Sequence, residues 1–299
     1  MRTADWLLLV LLSVLWGATF LFISVAVREI PPFTLVLARV ALAALVLAPL
    51  VYAFGHRLPA TLAAWRPFLV LALLNNVIPF TLIAYGQARI AGALAAVLNA
   101  TTPLFTLIIA RVLAHEPLTA SKLAGVVLGI AGVAVLMGPE ALDANAASLT
   151  GMLCVLGGAL SYGFAALWMR RLRAIPPLVS SAAQLTCSAL VLLPCAAIVD
   201  RFWLLPQPGT AAVAAVLALA VVSTALAYIV FFRISATAGP GNVMLVTLLI
   251  PVTATALGVL VLGERLALNQ IAGALVIASG LVVIDGRLIG WLTGPARPA

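Results

Sequence analysis

Charge is what this sequence has least of. Of its 299 residues only 8% are Asp, Glu, Lys or Arg, and histidine occurs twice. A soluble domain carries about 25% charged residues, so this composition cannot clothe a water-facing surface. The net charge of +8 is therefore not the footprint of a nucleic-acid partner, and none is expected. Cys154, Cys187 and Cys195 all fall in apolar runs, where free cysteine behaves as a small hydrophobe and no disulfide framework follows. No G-x-x-x-x-G-K-[ST] run supplies a phosphate cradle, and no H-E-x-x-H or Cys/His spacing supplies metal ligands. Neither an ATP site, a metal nor another cofactor is expected. The serines in apolar runs lack a histidine base at comparable depth, which disfavours an intramembrane enzyme.

What is present is hydrocarbon: 65% of the residues are hydrophobic and the mean hydropathy is +1.26. A spanning helix takes about 20 apolar residues, so there is material for on the order of ten spans and little else. Splitting the chain at Pro, Gly and charge clusters gives ten apolar segments, at 6–27, 33–54, 67–85, 91–113, 121–138, 150–169, 177–199, 211–232, 241–262 and 269–286. The first follows Arg2 and ends near Ser24-Val25-Ala26, but it is longer than the 7 to 15 residue core of a signal peptide. It reads as a helix. The expected fold is an all-α membrane protein.

Placement of the basic residues tests the topology. With the N-terminus inside, the inner ends and loops hold eleven of them, from Arg2 through Arg57, Arg66, Arg111, Lys122 and Arg170 to Arg297, while the outer ends hold only Arg28, Arg89, Arg201 and Arg265. Cytoplasmic loops carry such an excess, so ten spans with both termini cytoplasmic are expected, in a bacterial inner membrane. Trp6, Trp65, Trp168, Trp203 and Trp291 stand at segment ends, as in an aromatic belt. Trp16 alone is mid-segment.

The chain repeats itself. A shift of 148 residues puts Pro251 on Pro103, Glu264 on Glu116, Gly273 on Gly125 and Gly280 on Gly132. A shift of 145 lays PPLVSSAAQ at 176–184 on PPFTLVLAR at 31–39, and one of 146 lays Tyr162-Gly163 on Trp16-Gly17. Each unit, 1–147 and 148–299, holds five segments. An odd number of spans makes the second copy enter from the opposite side, which predicts two inverted five-helix repeats, a hallmark of secondary transporters.

A WG pair in segment 1, PP…R opening segment 2, the run AGALAAVLNATTPLF at 91–105, an E-P-L turn and a glycine-spaced segment 5 resemble the EamA family of the drug/metabolite transporter superfamily. The resemblance covers residues 5–286 and is strongest to bacterial amino-acid exporters of the YddG type. It implies a ten-helix inner-membrane protein that exports amino acids and related metabolites.

Pro103 removes a donor and frees the carbonyl of Asn99; Pro251 does the same to Thr247. In lipid such a carbonyl must meet protein, water or solute. These two prolines, with Pro79, are the expected hinges or gates, and Asn99, Thr101, Thr102, Asn242 and Thr247 are expected near the solute path. Packing kinks patched by neighbouring threonines are the alternative. Asn75-Asn76 fall on Ser223-Thr224 at shift 148, polar pairs in otherwise apolar spans, which points to a midplane cavity or to bonds between helices. A wall of Trp16, Thr19, Phe20, Phe80, Tyr162, Phe164 and Tyr228 would suit a small amphiphile.

Arg39 lies about two turns from the outer end of segment 2, within snorkelling reach, and its repeat mate Gln184 is neutral. A structural role, bonding carbonyls or a helix terminus, is expected of it, a functional one being the alternative. Glu116 and Glu264 are expected to cap the helices that follow them. The glycines of segments 5 and 10 suit close packing, within the fold or in a weak dimer. With no carboxylate in mid-span, uniport or facilitated efflux of zwitterionic or neutral solutes is expected rather than proton antiport; proton-coupled export of drugs or nucleosides stays open.

Overall fold

The computed structural model describes residues 3–117, 119–137, 146–238 and 246–285. Their regular structure is helical throughout: α1 (Thr3–Ala26), α2 (Pro32–Ala53), α3 (Leu62–Gln87), α4 (Gly92–Ala114), α5 (Ala120–Met137), α6 (Ala146–Met169), α7 (Pro177–Asp200), α8 (Thr210–Ala220, continued through Val221–Leu226 and Ala227–Ala238), α9 (Val246–Leu262) and α10 (Leu268–Asp285). Among the described residues, α1 to α4 and α6 to α8 are seven helices long and apolar enough to cross a membrane, while α5, α9 and α10 are apolar but shorter. Leu7, Leu45, Leu62, Leu190, Leu260 and Leu268 stand on the outside, largely exposed. Such a surface is stable only against lipid.

One boundary differs from expectation for a clear reason. α3 begins at Leu62 rather than at 67, because Thr61 caps it, its side chain accepting the Ala64 N–H at 3.3 Å. Pro67 then lies inside the helix, where the carbonyl it frees is that of Ala63 at the helix start.

Packing joins the first five helices to the last five. α2 lies on α7, α4 on α9 and α5 on α10; α1 packs on both α8 and α9, as α6 packs on both α3 and α4. Replacing each helix by the one five places on exchanges these pairings among themselves. The α5–α10 contact is built from glycine: a Cβ on Gly125 would stand 2.6 Å from the Gly280 carbonyl, and one on Gly132 would stand 3.0 Å from that of Gly273. Backbones this close permit no side chain between them, so these glycines serve the fold itself. The main core fills the space between α2 and α7 with Leu35, Val40, Leu47, Leu185 and Leu192, all fully buried.

Candidate functional site

Two of the long helices widen by one residue near their middles. In α3 the turn Leu73–Val77 is π-helical, the Ile78 N–H reaching back five residues to the Leu73 carbonyl. Pro79 explains it: the ring has no N–H and pushes away the carbonyl of Asn75. In α8 the turn Val221–Leu226 is also π-helical, and the Thr224 hydroxyl donates to the Leu219 carbonyl at 2.8 Å. The two turns correspond at the 148-residue shift. Wide turns of this kind cluster at functional sites, and these carry the polar pairs Asn75-Asn76 and Ser223-Thr224.

Each wide turn is bonded to the helix beside it. Arg39 Nε on α2 donates to Thr224 Oγ1 at 3.0 Å. On the other side of the pseudo-symmetry, Asn75 Nδ2 donates to Gln184 Oε1 on α7 at 3.0 Å, and Asn76 Nδ2 to Ser188 Oγ at 3.0 Å. Arg39 and Gln184 are repeat mates, as are Thr224 and Asn76, and Asn76 Nδ2 also reaches Gln184 Oε1 at 3.5 Å, so one interaction occurs twice with different chemistry. The Arg39 guanidinium lies 3.7 Å over the Phe80 ring, and Phe80 meets Tyr162 edge-on at 6.5 Å. Tyr162 and Tyr228 lie near the guanidinium, and Asn75 adjoins Tyr228. Arg39 does not use its snorkelling reach. It is 5% exposed and turned inward, and it bonds a threonine hydroxyl, neither a carbonyl nor a helix terminus.

Burial is complete at the centre of this belt. Asn76 and Ser223 are 0% exposed, and Asn76 Oδ1 and Ser223 Oγ have no hydrogen-bond partner among the described residues. An open cleft of about 310 Å³ lies elsewhere, lined by His56, Arg57, Phe68 and Pro176 at the loops joining α2 to α3 and α6 to α7.

The other predicted residues divide. Trp16 meets Phe231 at 5.6 Å, and Phe231, Phe232 and Tyr228 continue as a run of stacked and edge-on rings down α8. Gly17, after Trp16, lies under α9: a Cβ there would strike Thr253 Oγ1 and stand 3.0 Å from the Ala254 nitrogen. Gly163, after Tyr162, sits likewise on α4, where a Cβ would stand 3.1 Å from the Thr106 nitrogen. Thr19 is half-buried, and Phe20 belongs to the main core, its carbonyl accepting from Gln87 Nε2 at 2.8 Å. Phe164 does not share the wall with Tyr162. Two residues apart on an α-helix is a rotation of about 200°, and Phe164 stands 38% exposed on the outside of α6.

At Pro103 the freed Asn99 carbonyl accepts the Thr102 hydroxyl at 2.8 Å, and the Leu98 carbonyl accepts that of Thr101 at 2.6 Å. Threonines patch the break, and no solute is needed there. α4 is still interrupted between Asn99 and Thr102, and Asn99 Oδ1 is buried without a partner. Pro251 sits inside α9, with Thr247 half-buried. Asn242 lies outside the described residues. Gln184, Ser188, Phe231 and Phe232 were not anticipated as site residues; the four-residue spacing of Gln184 and Ser188 in an apolar span was the available signal.

The carboxylates do their work at helix ends. Glu264 does not cap the helix after it. Its two oxygens accept the Gly92 and Ala93 N–H groups, both at 2.9 Å, and so close the start of α4. Asp200 accepts the Thr34 N–H and hydroxyl at 2.7 and 2.8 Å at the start of α2, and Glu29 accepts the Gly209 N–H at 2.6 Å at the start of α8. Thr237 donates to Asp5 at 2.9 Å. Glu116 pairs with Arg170 at the end of α6, which holds its carboxyl below the ordinary value. Each of these five carboxylates ties one half of the chain to the other.

Family membership follows from comparison. The model of the EamA-like transporter family matches residues 5–138 and again 149–285. The chain belongs to the EamA-like transporter family. Members of this family, within the drug/metabolite transporter superfamily, are membrane transporters rather than enzymes. Among similar EamA proteins, the "Uncharacterized transporter YoaV" of Bacillus subtilis is 26% identical, the match covering 90% of this chain and 92% of that protein. The "Uncharacterized inner membrane transporter YedA" of Escherichia coli K12 is 26% identical over 96% and 91%. The "Probable amino-acid metabolite efflux pump" of Salmonella typhimurium is 27% identical over 95% of each. One solved crystal structure shares the fold, with a TM-score of 0.65 at 20% identity, over 95% of this chain and 98% of its own.

Proposed function

We propose that this EamA protein is a secondary carrier of the bacterial inner membrane that exports amino acids and related zwitterionic or neutral metabolites by alternating access. In this reading ten spans form two inverted repeats, 1–147 and 148–299, with both termini cytoplasmic. The exchange symmetry of the helix pairings and the inward bias of Lys and Arg support it. The observation that carries the function is the polar belt at mid-helix, where α2 and α8 on one side, α3 and α7 on the other, are bonded at paired wide turns. A carrier needs a polar site halfway across, flanked by elements that bend. Trp16, Asn75, Asn76, Phe80, Tyr162 and Tyr228 line that path in the proposal, with Asn99, Thr102 and Thr247 nearer the gates at Pro79, Pro103 and Pro251. Uniport or facilitated efflux is favoured, because Asp5, Glu29, Glu116, Asp200 and Glu264 are all engaged at helix ends. The solute resemblance to the Salmonella protein agrees in kind.

The test is counterflow of labelled threonine, methionine and phenylalanine in liposomes holding the purified protein, with no imposed gradient. Saturable exchange is expected. Its absence in folded protein rejects the amino-acid reading, and a rate that scales with an imposed pH gradient replaces uniport with proton coupling.

A further inference from the structure

Arg39 is a buried cation with no anion beside it among the described residues. Among the described residues no carboxylate pairs with it, and the five carboxylates described above are occupied at helix ends. A guanidinium presents five N–H donors. One, at Nε, is used on Thr224, while the Phe80 ring lies beneath Cζ, 3.7 Å away. The four hydrogens on the two Nη atoms meet no acceptor among the described residues. An uncompensated charge at 5% exposure is costly to hold, and inside a membrane such a charge is kept where it serves a ligand.

We infer that Arg39 is the docking group for the carboxylate of the transported solute, held edge-on for a bidentate pair. The inference rests on the carrier reading and names the substrate class for it. Three features specify the ligand. Phe80 covers one face at Cζ and no acceptor among the described residues takes the Nη hydrogens, which leaves a fork that matches the two oxygens of a planar carboxylate. The belt holds one cation, so one negative charge neutralises it, whereas a phosphate would bring nearly two. Asn76 Oδ1 and Ser223 Oγ, buried at the two wide turns with no partner among the described residues, are acceptors waiting for donors. A solute with one carboxylate and one ammonium satisfies both kinds of orphan and enters with no net charge. The repeat mate of Arg39, Gln184, is bonded to Asn75, so the site has a direction: the carboxylate docks on the α2–α8 side.

Two readouts test it. In the first, thermal unfolding of the detergent-solubilised full chain is followed with benzoate, benzamide or chloride at matched ionic strength. Benzoate should raise the midpoint of the wild type and not that of Arg39→Gln, and benzamide should act on neither. An equal benzoate shift in both proteins, no shift in the wild type, or full saturation of the effect by chloride overturns the carboxylate site. In the second, phenylalanine, phenylalaninamide and phenethylamine compete for phenylalanine counterflow. Phenylalanine should compete at least tenfold better than its amide in the wild type; the preference should narrow to near one in Arg39→Gln and be intermediate in Arg39→Lys, which keeps the charge without the fork. Equal competition in the wild type rejects the inference while leaving the carrier standing. No exchange at all, with a benzoate shift that depends on Arg39, rejects the amino-acid carrier and keeps the anion site. The wild-type comparisons stand even if a variant fails to fold.

Discussion

Glu264 holds Gly92 across 172 residues of chain: one carboxylate oxygen accepts the Gly92 N–H and the other that of Ala93, each at 2.9 Å. A carboxylate at a helix N-terminus satisfies bare donors and meets the positive end of the helix dipole. Glu264→Gln keeps one acceptor and loses the charge, so it should lower stability by about 1 to 2 kcal/mol, read as the unfolding midpoint in detergent. Glu264→Ala should fall further. An unchanged midpoint would mean that α4 needs no cap.

Glu116 offers a contrast, since it pairs with Arg170 where both side chains are half-exposed. Its carboxyl is held below 4.5, first by the hydrogen bond from Arg170. A depressed folded pKa contributes stability that is present above the unfolded pKa and lost as pH falls through the folded one. Glu116→Gln should therefore be less stable than the wild type at pH 7, with the gap closing below about pH 4.5. Molar salt should shrink the gap as well, because the pair is in contact with solvent. A gap that persists in acid would assign the effect to packing.

Gly17 leaves no room for a methyl group against Thr253 and Ala254. Thr253 cannot simply swing away, because its hydroxyl donates to the Ser13 carbonyl at 2.7 Å. Gly17→Ala should cost about 1 to 3 kcal/mol through overpacking, and Thr253→Ala in the same chain should recover part of it. Measuring both single variants and the pair decides, since independent sites would simply add.

Thr102 covers the carbonyl that Pro103 exposes. Thr102→Val leaves the Asn99 oxygen bare and should cost about 1 to 3 kcal/mol. In a Pro103→Ala background the restored N–H takes over that carbonyl, so the same substitution should cost much less. If the two costs are equal, the threonine hydroxyl is not the patch. Counterflow by Pro103→Ala then reports separately on whether the break itself serves transport.

Trp16 stands at the head of the α8 ring series, 5.6 Å from Phe231. If those rings border the path, Trp16→Ala should lower counterflow at least tenfold with the protein still inserted and folded. Transport unchanged would return Trp16 to ordinary packing between α1 and α8.

Much of this was legible before any coordinates. Apolar length alone marked the helices, and the shift of 148 aligned Asn75-Asn76 with Ser223-Thr224, which the fold then placed on matching wide turns. What stayed hidden was direction. Arg39 sat close enough to the outer end of α2 to reach it, and nothing in the sequence stated that Phe80 and Thr224 would draw it inward instead. Phe164 stands two residues from Tyr162 in sequence, and helical rotation turns it to the outside of α6. The caps were hidden more deeply. Capping signals are local, three residues apart at most, whereas Asp200 reaches Thr34 over 166 residues and Glu264 reaches Gly92 over 172.

That distance has a meaning for biosynthesis. At 5 to 20 residues per second, roughly 8 to 33 s pass between the emergence of Thr34 and that of Asp200, and a similar wait separates Gly92 from Glu264. During that time α2 and α4 have left the ribosome with their first turns uncapped. These two early helices are thus inserted before they are finished, and acids translated much later complete them.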